Sequence, residues 1–250
     1  MTEILTSVVE EGERLLEIAK GDGSTMALLG GVAVRLRAPE VPAPLDREYK
    51  DLDFAVPKGR GGDAAKLLRA QGYEPEVVFN AMNGKERMIF NDLGHGRQID
   101  VFVGSFRMCH QIPLGDRLRA GEPTIPLAEL LLTKLQIVEL NEKDVRDTVL
   151  LFHGHDVADH DDDDAVNGER IAQLCATDWG LWRTITANLT GCSERVGDYA
   201  LDEGERKRVS ERLKAVLQRI EDAPKGRAWK LRAKIGERKR WYDLPEEVDQ

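Results

Sequence analysis

Asp51 and Asp53 stand one residue apart in Lys50-Asp-Leu-Asp-Phe54. Residues i and i+2 of a strand project to one face, so the spacing predicts two carboxylates side by side, with Leu52 and Phe54 pointing the other way. Such a pair repels and loses hydration if buried. A hard divalent cation, Mg²⁺ or Mn²⁺, relieves both problems, because oxygen-only ligands suit it. Asp100 lies between Ile99 and Val101 in Gln98-Ile-Asp-Val-Phe102 and is the candidate to complete the metal group from a neighbouring strand. Upstream, Gly30-Gly31 opens Gly-Gly-Val-Ala-Val-Arg-Leu-Arg37. A helix that starts on glycines offers N–H groups without intrahelical partners and no Cβ to block a close anion. Gly30 and Gly31 are therefore candidates for holding phosphate oxygens.

The elements that must position these residues follow from hydrophobic period and breakers. Residues 3–20 read as an amphipathic helix, ended by Gly21-Asp-Gly-Ser24. Met26 to Leu29 is a short buried strand that runs into Gly30, and Val32 to Arg37 a short helix. Pro39, Pro42 and Pro44 then break the chain into a loop. Gly59-Arg-Gly-Gly62 lacks the Lys-Ser/Thr ending of a phosphate loop and reads as a plain connection into a surface helix from Asp63 to Ala70. Residues 74–79, 86–90, 98–103 and 106–112 read as strands, with Asn91 to Gly96 as the turn of a hairpin and His95 as a turn residue.

From Pro126 the pattern becomes helical. Leu127 to Leu140 is apolar at helical spacing, and Asn141 is placed to cap a helix over 143–152. The His/Asp-rich run 153–165 reads as a solvated acidic loop, since its spacing matches no defined metal site. Asn167 opens a further helix, and Trp179 and Trp182, three apart, read as one packing face. Residues 202–222 and 227–241 read as basic terminal helices. The expected organisation is an α+β domain with a small mixed sheet over residues 1–125, followed by a helical domain over 126–250.

The net charge of −9 hides an asymmetry. Between Glu205 and Arg240 there are 14 Lys or Arg against 5 Asp or Glu, so this stretch carries +9 and the remainder −18. Such a split points to an acidic partner for the tail, nucleic acid or a phosphate-rich ligand, or to a solvated helical face. Cys109, Cys175 and Cys192 are odd in number and far apart, which argues against a disulfide framework or zinc site. No run reaches the roughly 18 to 20 apolar residues of a membrane span. The first residues lack the basic flank and cleavage site of a signal peptide, so the expected compartment is the cytoplasm, with no membrane partner.

The ordered set of Gly30-Gly31, Asp51-Leu-Asp53 and a later strand-borne Asp100 resembles the DNA polymerase β-like nucleotidyltransferase superfamily. Gly30 to Arg37, Lys50 to Phe54 and Gln98 to Phe102 are similar to the nucleotidyltransferase toxins of the AbiEii type. So are Ala128-Glu-Leu-Leu-Leu-Thr-Lys-Leu-Gln136 and Glu142-Lys-Asp-Val-Arg-Asp147. The match covers residues 25–150. It implies transfer of an NMP group from an NTP to a hydroxyl of RNA or protein, with Mg²⁺ or Mn²⁺ as cofactor. It also implies a toxin that pairs with an antitoxin. Lys134 and Asp144 would line the nucleotide site.

Lys134 is the candidate cation for the departing pyrophosphate, because an unpaired ammonium inside an apolar helix is costly. Its alternative is to snorkel to solvent. Lys143 and Asp147, four apart, read as a structural ion pair. The spacing from Gly-Gly to Asp-x-Asp is longer than the superfamily's, through the proline-rich insert, which could form a lid. A small-molecule, antibiotic-type nucleotidyltransferase and an inactive nucleotide-binding module remain as alternatives.

Overall fold

Ser7 opens the first helix by accepting a hydrogen bond from Glu10 N, and helix α1 runs Val8–Gly21. The computed structural model describes residues 4–244. The helix starts later than residue 3 because the segment before it is tied elsewhere. Arg97 donates to the carbonyls of Leu5 and Thr6 at 3.0 and 2.9 Å, and Leu5 N donates to Glu11. Glu11 is fully buried and is held by Arg14 and by the hydroxyl of Tyr73. Burial pushes the Glu11 carboxyl up, but its hydrogen bonds from Arg14, Tyr73 and Leu5 outweigh that and keep it below its ordinary value. Glu11→Ala should lower unfolding free energy by about 3 kcal/mol in a urea titration, because breaking a buried pair strands its partner.

Two compact units emerge: residues 1–37, 47–107 and 112–126 in the first, and 38–46, 108–111 and 127–250 in the second. The first is built on five strands with helices between them. In chain order these are β1 (Ala27–Leu29), α2 (Gly30–Arg37), β2 (Leu52–Val56), α3 (Gly61–Ala70), β3 (Glu74–Pro75), α4 (Val77–Asn83), β4 (Arg87–Asp92) and β5 (Arg97–Val103). The sheet order is β1-β2-β5-β4-β3, with β2 and β5 parallel and the other pairs antiparallel. It is therefore a mixed sheet in an α+β chain.

The two faces of this sheet differ in chemistry. One carries Leu52, Phe54, Ile99, Val101 and Phe90, all fully buried. Helices α1 and α3 approach it through glycines: a Cβ on Gly12 would lie 3.0 Å from Leu52, and one on Gly61 3.1 Å from Val103. The register places Asp53, Asp100, Gln98 and Arg87 on the opposite face. The hairpin between β4 and β5 forms as expected, its turn fixed by Asp92, which accepts from the backbone of Gly94 and His95.

The strand expected over 74–79 is overturned. Only Glu74–Pro75 pairs with β4, and Val77–Asn83 is helical. Asn80 explains the exchange: its side chain donates to Ile89 O and accepts from Ile89 N, so it satisfies the β4 edge from a helix. The strand expected over 106–112 is split into β6 (Ser105–Arg107) and β7 (Gln111–Pro113).

The second unit is mainly helical: α5 (Leu127–Leu135), α6 (Glu142–Gly154), α7 (Gly168–Thr177), α8 (Trp179–Arg195), α9 (Glu203–Asp222) and α10 (Arg227–Ile235). Every residue of α5 is buried. It stops at Leu135, short of the expected Leu140, where Asn188 donates to the carbonyls of Leu135 and Ile137. Asn141 and Asn167 cap α6 and α7, as their positions predict. The run 153–165 is not wholly loop, since β8 (Asp156–Ala158) and β9 (Ala165–Asn167) pair in parallel. Helix α10 ends at Ile235, six residues before the expected Trp241, on Gly236 with φ +60°. Among the described residues no helix is long and apolar enough to cross a membrane.

The proline-rich insert belongs to this second unit and is anchored on α6. Pro39 fills the space that a Cβ on Gly154 would occupy at 2.7 Å, and Arg146 donates to Asp46 O. Residues 108–111 are held in the same unit. His110 N donates to Gln136, and its ring Nε2 meets Thr184 Oγ1 at 2.8 Å. Burial holds the His110 imidazole below its ordinary 6.5. The unfolded chain takes up that proton near 6.5 and the folded chain does not, so this stability is complete above pH 6.5 and is lost as pH falls below it. The melting temperature should fall less steeply with acidification in His110→Asn than in the parent protein.

Candidate active site

The left-handed Gly30 is the hinge on which the polar face is built. Its φ is +70°, and it joins the end of β1 to the start of α2 with no intervening loop. Leu29 pairs with Asp53 across β1 and β2, so the turn at Gly30 falls beside the Asp53 side chain. The packing is close: a Cβ on Gly30 would lie 2.0 Å from Asp53 Oδ2. Only a glycine leaves room for that carboxylate at the mouth of the helix.

Asp53 and Asp100 are Cα partners on the parallel strands β2 and β5, so their side chains share a face. Asp51 departs from expectation. It is exposed and precedes β2, whose pairing begins at Leu52 with Ile99. The residue that the register pairs with Asp53 is Asp100, as its place on a neighbouring strand predicts.

Asp100 is buried and firmly oriented. Arg87 Nε donates to its Oδ1 at 2.7 Å and Gln98 Nε2 to its Oδ2 at 2.8 Å. The Arg87 guanidinium is itself sandwiched, 5.6 Å from the Phe79 ring and 5.4 Å from that of Phe102. On the other flank, Arg47 stacks over Tyr49 at 4.3 Å. A Cβ on Gly31 would lie 2.3 Å from a terminal nitrogen of Arg47, so this guanidinium sits against the first turn of α2. A glycine-bearing helix start with an arginine against it and carboxylates beside it forms a place for a polyanion and a cation together.

Among the described residues, no group of three His, Cys, Asp or Glu side chains is arranged to hold a metal ion. The expected three-carboxylate cluster is thus not assembled. The donor chemistry of Asp53 and Asp100 nevertheless suits one hard cation. A carboxylate offers roughly four acceptor positions, and the bonds from Arg87 and Gln98 take two of those on Asp100.

Lys134 and Asp144 come together in the second unit, but with a partner that sequence spacing assigned elsewhere. Lys134 Nζ lies 2.8 Å from Asp147 and 3.4 Å from Asp144, with its side chain 11% exposed. Lys134 is therefore an ion-paired interior residue and does not snorkel, and it is Lys134 that Asp147 meets. Lys134→Met should destabilise the fold by about 3 kcal/mol, because it breaks a buried ion pair with Asp147 and Asp144. Thermal unfolding followed by circular dichroism would show it.

Sequence reasoning missed Arg47, Tyr49, Arg87 and Gln98. Gln98 was within reach, since it stands two before Asp100 and so shares its strand face. Arg87 was not, because its meeting with Asp100 depends on the β4–β5 register.

No family model matches the sequence, and no curated protein matches it. Among solved structures, the chain is similar to the lincosamide antibiotic adenylyltransferase LnuA in its lincomycin-bound crystal structure. The identity is 19% and the TM-score 0.41, over 55% of this chain and 92% of that one. It is also similar to the STING-associated CdnE c-di-GMP synthase from Capnocytophaga granulosa, at 12% identity and TM-score 0.29, over 87% of this chain and 80% of that one. At these values neither likeness assigns the chain to a family or carries an activity across.

Proposed function

We propose that the chain is a metal-dependent nucleotidyltransferase that moves an NMP group from an NTP to a hydroxyl of RNA or protein. The observation that carries this reading is the Asp53 carboxylate packed into the glycine start of α2 and facing Asp100 across parallel strands. In this reading the backbone N–H groups at Gly30 and Gly31, with Arg47 beside them, bind and orient the triphosphate oxygens. Asp53 and Asp100 would hold Mg²⁺ or Mn²⁺. A divalent ion there supplies charge stabilisation to the attacking and leaving oxygens of an in-line displacement.

Arg87 and Gln98 keep Asp100 aimed, and Asp100 orients the acceptor hydroxyl and takes its proton. The acceptor oxygen forms a bond to the α-phosphorus, the bond from that phosphorus to the β-bridging oxygen breaks, and pyrophosphate leaves. The resemblance to AbiEii-type toxins supports a role in a toxin–antitoxin pair.

The test is incubation of the purified protein with each α-³²P-labelled NTP, Mg²⁺ or Mn²⁺, and total cellular RNA and protein. Label should enter one macromolecular fraction and be absent with Asp53→Asn. Label that enters only a small hydroxylated compound would replace the macromolecular acceptor with a small one. Nucleotide binding without turnover on any acceptor would overturn the enzyme.

A further inference from the structure

All four tryptophans of the chain, Trp179, Trp182, Trp229 and Trp241, converge at one place in the second unit. Trp179 and Trp241 meet edge to face at 6.2 Å, and Trp182 and Trp229 at 5.1 Å. Between α8 and α10, Trp179, Trp229 and Trp241 wall an open groove of about 340 Å³, which Ala228 and Arg232 also line. Trp229 and Trp241 are only half-buried. Each has its indole N–H satisfied, by Cys175 O and Thr184 Oγ1, so the rings are fixed in orientation and what they offer a ligand is π surface. Arg232 lies 4.4 Å over the Trp179 ring. The one carboxylate lining the groove, Asp178, caps α8 by accepting from Gly180 N and Leu181 N.

The surroundings are cationic. Exposed Lys239 and Arg240 lead directly into Trp241, and exposed Arg227 and Lys230 bracket Ala228 and Trp229. These belong to the stretch that carries +9 in a chain of net charge −9. A core-only role for the tryptophans explains Trp179, which is 6% exposed, but not why the chain gathers its other rings, half-exposed, beside its densest positive charge.

We infer that this groove is a binding site for single-stranded RNA, with bases stacked on Trp229 and Trp241 and phosphates on Lys239, Arg240 and the basic residues of α10. Aromatic rings with interleaved cations are the sequence-tolerant way to hold a flexible polynucleotide, because every base has a π face to stack. An acidic peptide would satisfy the charge but leave the π surfaces without purpose. The site stands apart from the chemistry proposed at Asp53, because binding is read without NTP: failure here leaves nucleotidyl transfer standing, and the reverse.

Because three of the four tryptophans line the groove and Trp182 packs against two of them, intrinsic tryptophan fluorescence reports on this region. A short oligouridylate should quench it saturably, with a dissociation constant on the order of 10⁻⁵ M at low salt, weakening with a slope of about −0.7 per phosphate contact in log–log form. Lys239→Glu with Arg240→Glu should reduce that slope by about 1.4 and weaken binding about tenfold. Ala228→Glu, at an exposed helical position, should abolish quenching while circular dichroism stays unchanged. If one variant fails to fold, the other still decides. Absence of saturable quenching, insensitivity to both variants, or equal binding of heparin or polyglutamate, which carry charge without bases, would each overturn the assignment.

Discussion

Asp53→Asn is expected to lower NMP transfer by about 10³-fold, equivalent to roughly 4 kcal/mol of transition-state stabilisation. The substitution keeps size and removes the charge that would hold a divalent ion at the start of α2. It should also weaken the response of activity to Mg²⁺ concentration, which a merely structural residue would leave alone. The fold should barely notice: Asp53 is half-buried at the polar edge of the site, and a change of about 1 kcal/mol shifts the melting temperature by only about 2–4 °C in a chain of this size. Wild-type turnover in Asp53→Asn would remove the central residue of the proposed mechanism.

The second large effect belongs to the paired glycines, which are not equivalent. Gly30→Ala places a methyl 2.0 Å from Asp53 Oδ2 and forces alanine into φ +70°. The backbone alone costs about 1–3 kcal/mol, and the carboxylate must swing away. The variant is expected to be destabilised by about 2 kcal/mol and to lose activity nearly as completely as Asp53→Asn. Gly31→Ala meets the end of the Arg47 side chain, at 2.3 Å, and carries no positive φ. A flexible guanidinium can move, so stability should change by less than about 1 kcal/mol, with the loss appearing in nucleotide affinity if Arg47 grips phosphate. Side-by-side urea titrations and transfer assays of the two variants separate backbone geometry from simple bulk. Equal effects would mean that the left-handed turn beside Asp53 has no special role.

What could be read from the residues alone was whatever is written locally. Asn141 and Asn167 announce α6 and α7 because a cap is decided within one helical turn. The apolar frame around Asp100 places it on a strand because alternation is a property of neighbours. Several misreadings involve partners outside the segment being read. Val77 to Phe79 look like a strand until Asn80 is seen pairing with Ile89. Lys143 and Asp147 look like a helix-surface pair until Lys134 reaches Asp147 from another helix. The neighbouring-strand place expected for Asp100 is the one the β2–β5 register gives it, opposite Asp53, although that register is set by the whole strand. Arg47 and Arg87, which shape the site's charge, carry no local mark at all.

The way the two units share one chain has a consequence for how the protein is made. Residues 38–46 leave the ribosome early but are structural members of the later unit, where Asp46 is held by Arg146, 100 residues on. At translation rates of about 5–20 residues per second, that segment waits roughly 5–20 s for its partner. Three prolines, Pro39, Pro42 and Pro44, sit within it. They keep the waiting strip from joining a helix or a central strand before its partner is made. The insert's proline content is thus suited to a stretch of polypeptide that must remain uncommitted during synthesis.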